Sequence, residues 1–561
     1  MKSDDIIPLM KKKDLKAQFD KIKALADQKE SLVPLEEMLL NFCELLLELN
    51  ADKDTKLQAL ENQLNILKGE QGQPNVRKQT NRQNKNHSSE GDRKKGNKPE
   101  PGNKKGSKKS QAKPDNTVKL EMNRDDLPPD AVKDGVKETL IQDIQITTNN
   151  TLFVRQMYYS KAENKYYLTP LPTGYEGEYG PSIKSWTNVL YSANEMTTEN
   201  ITQLFNTAGV LVSKATVLKF ILEFGKSMQA EKSAIAKAGL QSSSYQHLDD
   251  TSGRESGKNR HVNVLGNELF SAYFTLAHKD RLSIIKMLSL DDLKFSINST
   301  AFAIMEMMNI SASIIDAFKT HASLKFFDQS SVEEIINSVI NGQKQTKLRK
   351  HLLEACAIAA YRQSPYAIRH LIVDDAPQFK LITEALGLCW VHEGRHYKKL
   401  NPLFKKHQKA TQNFIEKFWQ YYRKLVAYKK EPSSELAIEL RAEFEILFST
   451  KTGYEMLDNQ IQTTSNKIES LLLVLRYSFI PLHNNPAENM ARRQARTRDI
   501  HLHTMSTDGT TAKDVLATIV GTSKKLSINI FAYIFDRITQ KFEMTSLSEL
   551  ITLKTAQLNS S

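Results

Sequence analysis

Carboxylate side chains occur at three places in the sequence where they could share a metal ion. Glu488 lies in PLHNNPAENMARR, between an Asn-Asn-Pro turn and a row of arginines. Asp249 lies in SSYQHLDDTSG and Asp374 in RHLIVDDAPQF, and each is followed by a second aspartate. Convergent carboxylates repel each other and need a cation between them, and Mg²⁺ takes oxygen ligands. The three acids therefore suggest metal-dependent chemistry at a phosphodiester, with Mn²⁺ as the alternative ion.

The same acids also have a structural explanation. Pro486 suits the first turn of a helix, and Glu488 favours the positive end of that helix. Arg492 lies one turn later, where an i,i+4 pair contributes only a few tenths of a kcal/mol. On composition alone, three unrelated surface acids are the simpler interpretation. Only the order of the acids along the predicted elements makes the metal-site hypothesis as good as the interpretation of unrelated surface acids.

The predicted elements form an α/β order that puts the acids on one sheet. Residues 243–278 are predicted to form three consecutive antiparallel strands, and further strands are predicted at 369–379 and 386–394. The helix of Glu488 follows. Three strands, a helix, a further strand and a later helix fit a ribonuclease-H-like catalytic domain at 241–500. Helical segments at about 289–368 and 400–478 are then insertions, and 501–561 is a C-terminal helical segment.

The region before the predicted catalytic domain, residues 118–240, is a candidate DNA-binding region. Residues 118–180 are predicted to form strands and loops, and the pattern then becomes helical. TTENITQLFNTAGVLVSKATVLKFILEFG predicts a helix, a turn around Gly209 and a second helix that begins near Ser213. This order could form a helix-turn-helix that contacts DNA, although a plain helical hairpin is at least as good an interpretation.

Residues 1–70 have the leucine spacing of a short coiled coil. Apolar residues alternate spacings of four and three on both sides of a break at 50–56: Leu35, Leu39, Phe42, Leu46 and Leu49, then Leu57, Leu60, Leu64 and Leu67. This pattern predicts self-association of the chain as a homo-oligomer. An amphipathic helix packed on its own domain is an equal alternative, because so few heptads are present.

Residues 71–117 are predicted to be a disordered basic arm. Between Arg77 and Lys113 there are 13 Lys/Arg against 3 Asp/Glu, so this stretch carries +10 of the net +13 of the chain. Almost no apolar residue interrupts it, so it cannot form a core. A run of one sign is typical of a segment that binds DNA phosphates, and a solubilising linker is the alternative.

The rest of the composition limits the class of protein. A length of 561 residues predicts three or four structural units. The apolar stretches, such as LLLVL at 471–475, are too short to span a membrane, and we expect no membrane association. The cysteines are far apart and form no CxxC pair, which suits a reducing cytoplasm: Cys43, Cys356 and Cys389.

Four ordered motifs resemble bacterial DDE transposases of the insertion-sequence family numbered 66. HLDDTS is similar to the first-acid motif of the family, with Asp249 as the acid. LIVDDAPQF resembles the second-acid strand, with Asp374 as the acid and Asp375 where the family has glycine. LHNNPAENMARR resembles the third-acid motif with Glu488. CWVHEGRHYKKL resembles the family element at Cys389, His392 and Arg395.

The resemblance runs from about 120 to 540 and implies a transposase. It implies that Asp249, Asp374 and Glu488 hold Mg²⁺ and catalyse strand cleavage and strand transfer. Cys389 and His392 could be half of a zinc site, but no matching pair of ligands lies nearby in sequence, so a buried thiol and a histidine that orients the site is the better interpretation. Basic side chains would contact DNA phosphates near the scissile bond: Arg395, Arg492, Arg493, Arg496 and Arg498. The partners implied are double-stranded DNA of the terminal inverted repeats and the target, with element-encoded accessory proteins as further candidates, in the bacterial cytoplasm and nucleoid.

Some features depart from the family pattern and leave alternatives open. The cysteine-rich zinc module of many members is missing, so the arm or the helix-turn-helix candidate would have to recognise DNA. Asp375 competes with Asp374 for the role of second acid. Two other functions use the same residues or fold: a catalytically inactive DNA-binding relative, and a ribonuclease-H-like nuclease that cuts without strand transfer.

Overall fold

The computed structural model describes residues 113–560 with gaps at 121–122, 124–127, 129, 133–135, 145, 176 and 341–344, together with residues 23–24, 36–46, 53 and 56. The predicted basic arm at 71–117 therefore lies outside the described residues, apart from 113–117. Of the predicted coiled coil, residues 36–46 are described in one run and are helical.

A five-stranded mixed sheet organises the central part of the chain. Its strand order is β5-β4-β3-β6-β7, and the bounds are β3 Tyr245–Glu255, β4 Lys258–Gly266, β5 Ser271–Leu276, β6 His370–Val373 and β7 Ala385–Leu388. The strands β3, β4 and β5 are antiparallel neighbours, whereas β6 runs parallel to both β3 and β7. Three antiparallel strands with two parallel strands added are compatible with a ribonuclease-H-like domain.

The first two strands of the chain lie outside this sheet. The strands β1 (Met157–Ser160) and β2 (Lys165–Leu168) form an antiparallel hairpin of their own. They are the regular strands of the described part of 118–180, where the sequence predicts strands and loops.

Helices cover the sheet and form most of the core. Between the β1–β2 hairpin and the sheet, the described residues form the helices α1 Pro181–Ser192, α2 Thr198–Thr207, α3 Lys214–Ser227 and α4 Gln229–Gln241. Between β5 and β6 lie α5 Arg281–Ser289, α6 Ser299–Met307, α7 Ala312–Lys319, α8 Gln329–Val339 and α9 Thr346–Tyr361. These helices match the helical pattern expected from 181 to 240 and across the first insertion.

The second half of the chain is helical apart from the last two strands. The helix α10 is Trp390–Lys399, and the second predicted insertion contains α11 Lys405–Tyr428, α12 Ser434–Leu447, α13 Glu455–Ser465, α14 Ile468–Leu471 and α15 Leu473–Arg476. The last helices are α16 Asn485–His501, α17 Thr507–Leu526, α18 Ile530–Ile538 and α19 Leu547–Ser560. α16 packs on β3 and β4, and α17 packs on β5 and on α3.

The strand predicted at 386–394 is wrong beyond Leu388. Residues 390–399 form α10, and the Sγ of Cys389 accepts a hydrogen bond from the backbone N–H of His392 at 3.4 Å. No turn residue occurs between Leu388 and Gly394, so the apolar residues at 389–391 suggested a longer strand. Buried Trp390 and Val391 face the core from a helix instead.

The closest approach of α3 and α17 depends on Gly225. A Cβ at this position would lie 2.4 Å from the Cβ and 2.5 Å from the Cα of Ala512. We expect Gly225→Ala to lower the stability by about 1–3 kcal/mol through overpacking, measured as the melting temperature. Ala512→Gly should remove only the part of this penalty that comes from its Cβ, because its Cα still lies 2.5 Å away, and it adds a helix cost of about 1 kcal/mol. Simple additivity of the two changes would contradict this packing.

Candidate active site

The three predicted acids lie together at one end of the sheet. His247 of β3 pairs with Ile372 of β6, and the same parallel register two residues further places Asp374 beside Asp249. Glu488 is in the first turn of α16, which begins after Asn484 and packs on β3. All three acids line an open cleft of about 260 Å³.

Repulsion and burial act on the carboxylates of the cleft. Burial, followed by the negative charge of Asp374, raises the pKa of Asp249 to about 7. The N–H of Asp250 donates to an oxygen of Asp249 at 2.8 Å and opposes that rise in pKa. A carboxyl group with a raised pKa beside two other acids is a position where a cation would be stabilised.

Positive side chains hold the other two acids. Arg395 donates two hydrogen bonds to the carboxylate of Glu488, from Nη1 at 3.0 Å and from Nη2 at 2.8 Å. Arg492 adds a contact to the same carboxylate at 3.2 Å. The Nδ1 of His392 lies 2.8 Å from Oδ2 of Asp374; burial lowers the pKa of His392, but the contact with Asp374 outweighs burial and raises that pKa overall. Asp374 and Glu488 are thus each fixed by side chains of α10 or α16.

The donor set of the cleft fits a hard divalent cation. Oδ1 of Asp374 is buried and has no hydrogen-bond partner among the described residues, so it is available as a ligand. Ligand atoms of Asp374, Glu488 and Cys389 lie within 4.8 Å of one another. Burial, and then the charge of Asp374, raises the pKa of Cys389 to about 12, so its sulfur is a neutral thiol. Carboxylates without a thiolate favour Mg²⁺ or Mn²⁺ over zinc.

Asn484 is a site residue that the sequence interpretation missed. Its Nδ2 donates to the carbonyl of Leu248 at 3.0 Å, and its backbone N–H donates to Sγ of Cys389 at 3.2 Å. Its Oδ1 lies 2.9 Å from Nδ1 of His247, whose pKa burial lowers to about 4. The neutral imidazole therefore donates to Asn484. One buried asparagine thus joins β3, α10 and α16 through its side chain and its backbone N–H. The paired asparagines before Glu488 are the sequence feature that could have indicated this role.

Asp374 and Asp375 point to different surroundings. Asp375 is paired with Lys380 and Lys467, each at 2.9 Å, and these lysines lower its pKa although burial opposes the shift. It lines a separate groove of about 800 Å³ between the sheet edge and the insertion helices. Asp374 alone of this pair faces Asp249 and Glu488.

Comparison with known proteins agrees with the motifs of the site. A family model described as Transposase IS66 family matches residues 370–512, which include Asp374 and Glu488. A protein of Sinorhizobium fredii (strain NBRC 101917 / NGR234), described as "Uncharacterized protein y4jO", is 32% identical over 302 residues, or 54% of this chain and 94% of that protein. The chain belongs to the IS66 family of transposases. No solved structure matches it.

The predicted DNA-contacting arginines of this IS66-family chain occupy unlike positions. Arg492 is 63% exposed at the cleft, and Arg496 is exposed on the same helix. Arg498 donates to the carbonyl of Ser252 at 3.0 Å. Arg493 is largely buried and bonds to the carbonyl of Ser192 at the end of α1. Arg395 is held by Glu488, so Arg492 and Arg496 are the most accessible of the set.

The helix α10 also carries a His-Glu-x-x-His sequence, the spacing of a zinc protease site. Glu393 is only 2% exposed and accepts hydrogen bonds from Oγ1 of Thr464 at 2.6 Å and from Nζ of Lys467 at 2.9 Å. It therefore anchors α10 to the insertion and cannot act as a general base for a bound water.

Of the helices that the structure describes, none is long and apolar enough to cross a bilayer.

The neighbouring aspartates allow a matched test of the metal site. We expect Asp374→Asn to weaken Mn²⁺ binding, measured by electron paramagnetic resonance, by at least tenfold, which is about the loss caused by removing an outer-shell partner. Asp375→Asn should bind Mn²⁺ almost as the parent does, because its carboxylate faces two lysines. Equal losses in the two variants would make Asp375 a ligand as well.

Proposed function

We propose that this chain is a DDE transposase that cleaves DNA at the ends of an insertion sequence and transfers the freed 3′ end to target DNA. The observation that carries the proposal is the convergence of Asp249, Asp374 and Glu488 in one open cleft from β3, β6 and α16. The order of the strands and the position of α16 support a ribonuclease-H-like assignment of the catalytic domain.

The residues of the cleft divide the work of binding and orientation. Asp249, Asp374 and Glu488 would hold Mg²⁺, and bound Mg²⁺ supplies Lewis acidity at a phosphodiester oxygen. His392 orients Asp374, and Arg395 fixes the carboxylate of Glu488. The cleft is open to solvent, which suits the approach of an extended DNA strand. Arg492 and Arg496 would contact its phosphates.

Several segments outside the cleft are proposed to bind DNA. The arm at 71–117 carries dense positive charge and would contribute salt-dependent phosphate contacts. α2 and α3 keep the helix-turn-helix proposal, with Gly209 at positive φ in the connection and Ser213 capping α3. The start of α3 presents Lys214, which is paired with Glu199 at 3.2 Å. We place the protein with its DNA in the bacterial cytoplasm, where element-encoded accessory proteins could join it.

Loss of one acid should abolish catalysis without loss of DNA binding. We expect Asp249→Asn and Glu488→Gln each to lower strand cleavage by about three orders of magnitude, which is about 4 kcal/mol in the barrier. The substrate is a duplex with the terminal repeats that flank the coding sequence, and binding is followed by gel shift.

Asp250→Asn is the matched control for these variants. Asp250 also lines the cleft, but its carboxylate is paired with Lys279 at 2.8 Å and accepts from Nε2 of Gln378 at 2.9 Å, so its oxygens are already engaged. It should retain most of the cleavage activity. Full activity of Glu488→Gln would remove the acid assignment, and cleavage without joining to target DNA would instead identify a nuclease.

The helical segment 36–46 supports a proposal of self-association. One face packs on the insertion: Nδ2 of Asn41 donates to the carbonyl of Gly453 at 3.1 Å, and the carboxylate of Glu44 lies 2.9 Å from Nδ1 of His407. Leu40 is buried on this face. The predicted coiled-coil positions lie on the other face and are exposed: Leu39, Phe42 and Leu46. Packing on its own chain thus leaves the heptad face for a second copy.

Polar substitution of the exposed face should separate the two roles of the segment. We expect the triple variant Leu39→Gln, Phe42→Gln, Leu46→Gln to have a lower mass by light scattering and to capture two DNA ends poorly in a paired-end gel shift. Single-end binding should persist. Asn41→Ala, which changes only the face toward the insertion, is the control and should keep the parent mass. An unchanged mass of the triple variant would exclude this interface.

A further inference from the structure

The β1–β2 hairpin is an exposed two-stranded ribbon with no core of its own. Tyr158 pairs with Tyr167, and Tyr159 pairs with Tyr166, in a register that ends in a short turn. The four tyrosines are between 43% and 64% exposed, and neither strand packs closely against another described element. A hairpin of this kind is marginal in water, so a surface that contacts it would stabilise its conformation.

The two faces of the hairpin differ in chemistry. Because side chains alternate along a strand, one face carries Tyr158, Ser160, Lys165 and Tyr167. Nζ of Lys165 lies 5.3 Å from the ring centre of Tyr167. The opposite face is the more apolar one and carries Met157, Tyr159, Tyr166 and Leu168. The first face, with hydroxyl groups and an ammonium group, is called the polar face.

Charge around the hairpin favours a polyanion as its partner. Residues 155–168 contain Arg155, Lys161 and Lys165 against Glu163. Lys161 is in the exposed turn, and Lys165 directly follows that turn on the polar face. The hairpin also lies in sequence between the +10 stretch at 77–113 and the catalytic domain. A partner bound by that arm would therefore be held near the hairpin.

We propose that the β1–β2 hairpin is a DNA-contacting ribbon that places its polar face in the major groove of duplex DNA. The proposal rests on the proposed transposase function and adds a surface for its substrate. The major groove of B-DNA admits a two-stranded ribbon. The hydroxyl groups of Tyr158 and Tyr167 donate to phosphates along the groove, and Lys161 and Lys165 neutralise further phosphates.

A second copy of the chain fits this face less well than DNA does. Two polar faces would bring Lys165 of each copy together, and like charges disfavour such an interface. The tyrosine hydroxyls now bond within the hairpin, Tyr158 to Oε1 of Gln156 at 3.0 Å and Tyr167 to a carboxylate oxygen of Glu163. These exposed bonds can be exchanged for phosphate oxygens at little cost.

Matched tyrosine-to-phenylalanine pairs test the proposal in the full-length protein. Tyr158→Phe with Tyr167→Phe removes two hydroxyl groups from the polar face, and Tyr159→Phe with Tyr166→Phe removes two from the other face. Both pairs keep every aromatic ring. Binding to a fluorescent duplex of mixed sequence is measured without divalent metal. We expect about a tenfold loss for the first pair, because two hydrogen bonds to phosphates are lost but each of them replaces a bond within the hairpin, and little change for the second.

Lysine neutralisation gives an independent readout. Lys161→Gln with Lys165→Gln should flatten the slope of log affinity against log salt by about 2, because two phosphate contacts are lost. A single strand of the same sequence should bind the hairpin variants and the parent alike. A loss on the single strand equal to that on the duplex would overturn placement in the groove.

Further outcomes would overturn the hairpin proposal, alone or together with the proposed transposase function. Equal effects of the two tyrosine pairs, or a change of mass without DNA in any hairpin variant, would overturn the proposal in favour of a role in folding or in contact with a second copy. Parent-like duplex binding of every variant, with metal-dependent cleavage by the parent intact, would overturn the hairpin proposal and leave the transposase standing. Failure of the parent to bind duplex DNA would overturn both.

Discussion

Repulsion between three partly buried carboxylates is the constraint around which the site is built. Left to themselves, Asp249, Asp374 and Glu488 would separate, because burial and, after it, the charge of Asp374 both make the ionised form of Asp249 less stable. The parallel pairing of β3 with β6 prevents separation of the first two acids, since the strands are hydrogen-bonded up to two residues before them. The third acid has no such strand and depends on how α16 begins.

Asn484 fixes the position at which α16 begins, and with it the position of Glu488. A helix start at this position would ordinarily use the asparagine side chain to cap its own first turn, but here the side chain bonds to β3 instead. The helix gives up a local cap and gains a fixed distance between Glu488 and Asp249. Because the backbone N–H of Asn484 also meets Cys389, the residue that caps α10, the helices carrying Arg395 and Glu488 share one anchor. The buried thiol acts here as a hydrogen-bond acceptor.

The sequence predicted most strands of the sheet but not the direction of the side chains. Alternating β-rich runs predicted β3, β4 and β5, and the apolar run before Asp374 predicted β6. Neighbouring aspartates cannot be separated by type or spacing, and only the partners Lys380 and Lys467 distinguish Asp375. Lys467 is far from Asp375 in sequence, and Lys380 follows it across the 3-10 turn Pro377–Phe379, so no helix or strand spacing predicts these pairs. Arg493 likewise belongs to a basic cluster in sequence but packs inward in the fold.

The leucine pattern illustrates the same limit in a different way. Coiled coil and self-packed helix were equal alternatives because both need an apolar stripe, and segment 36–46 packs one face on its own chain and exposes the other. Its packed face is joined through Glu44 and His407 to the helical insertion. The insertion is joined in turn through Lys467 to Asp375, the residue next to the second acid. In the proposed dimer, a partner on the exposed face would therefore be held through packed helices and buried polar contacts, without a flexible linker between the interface and the cleft. Two clefts connected in this way would keep a fixed separation, which is the condition for acting together on two DNA ends.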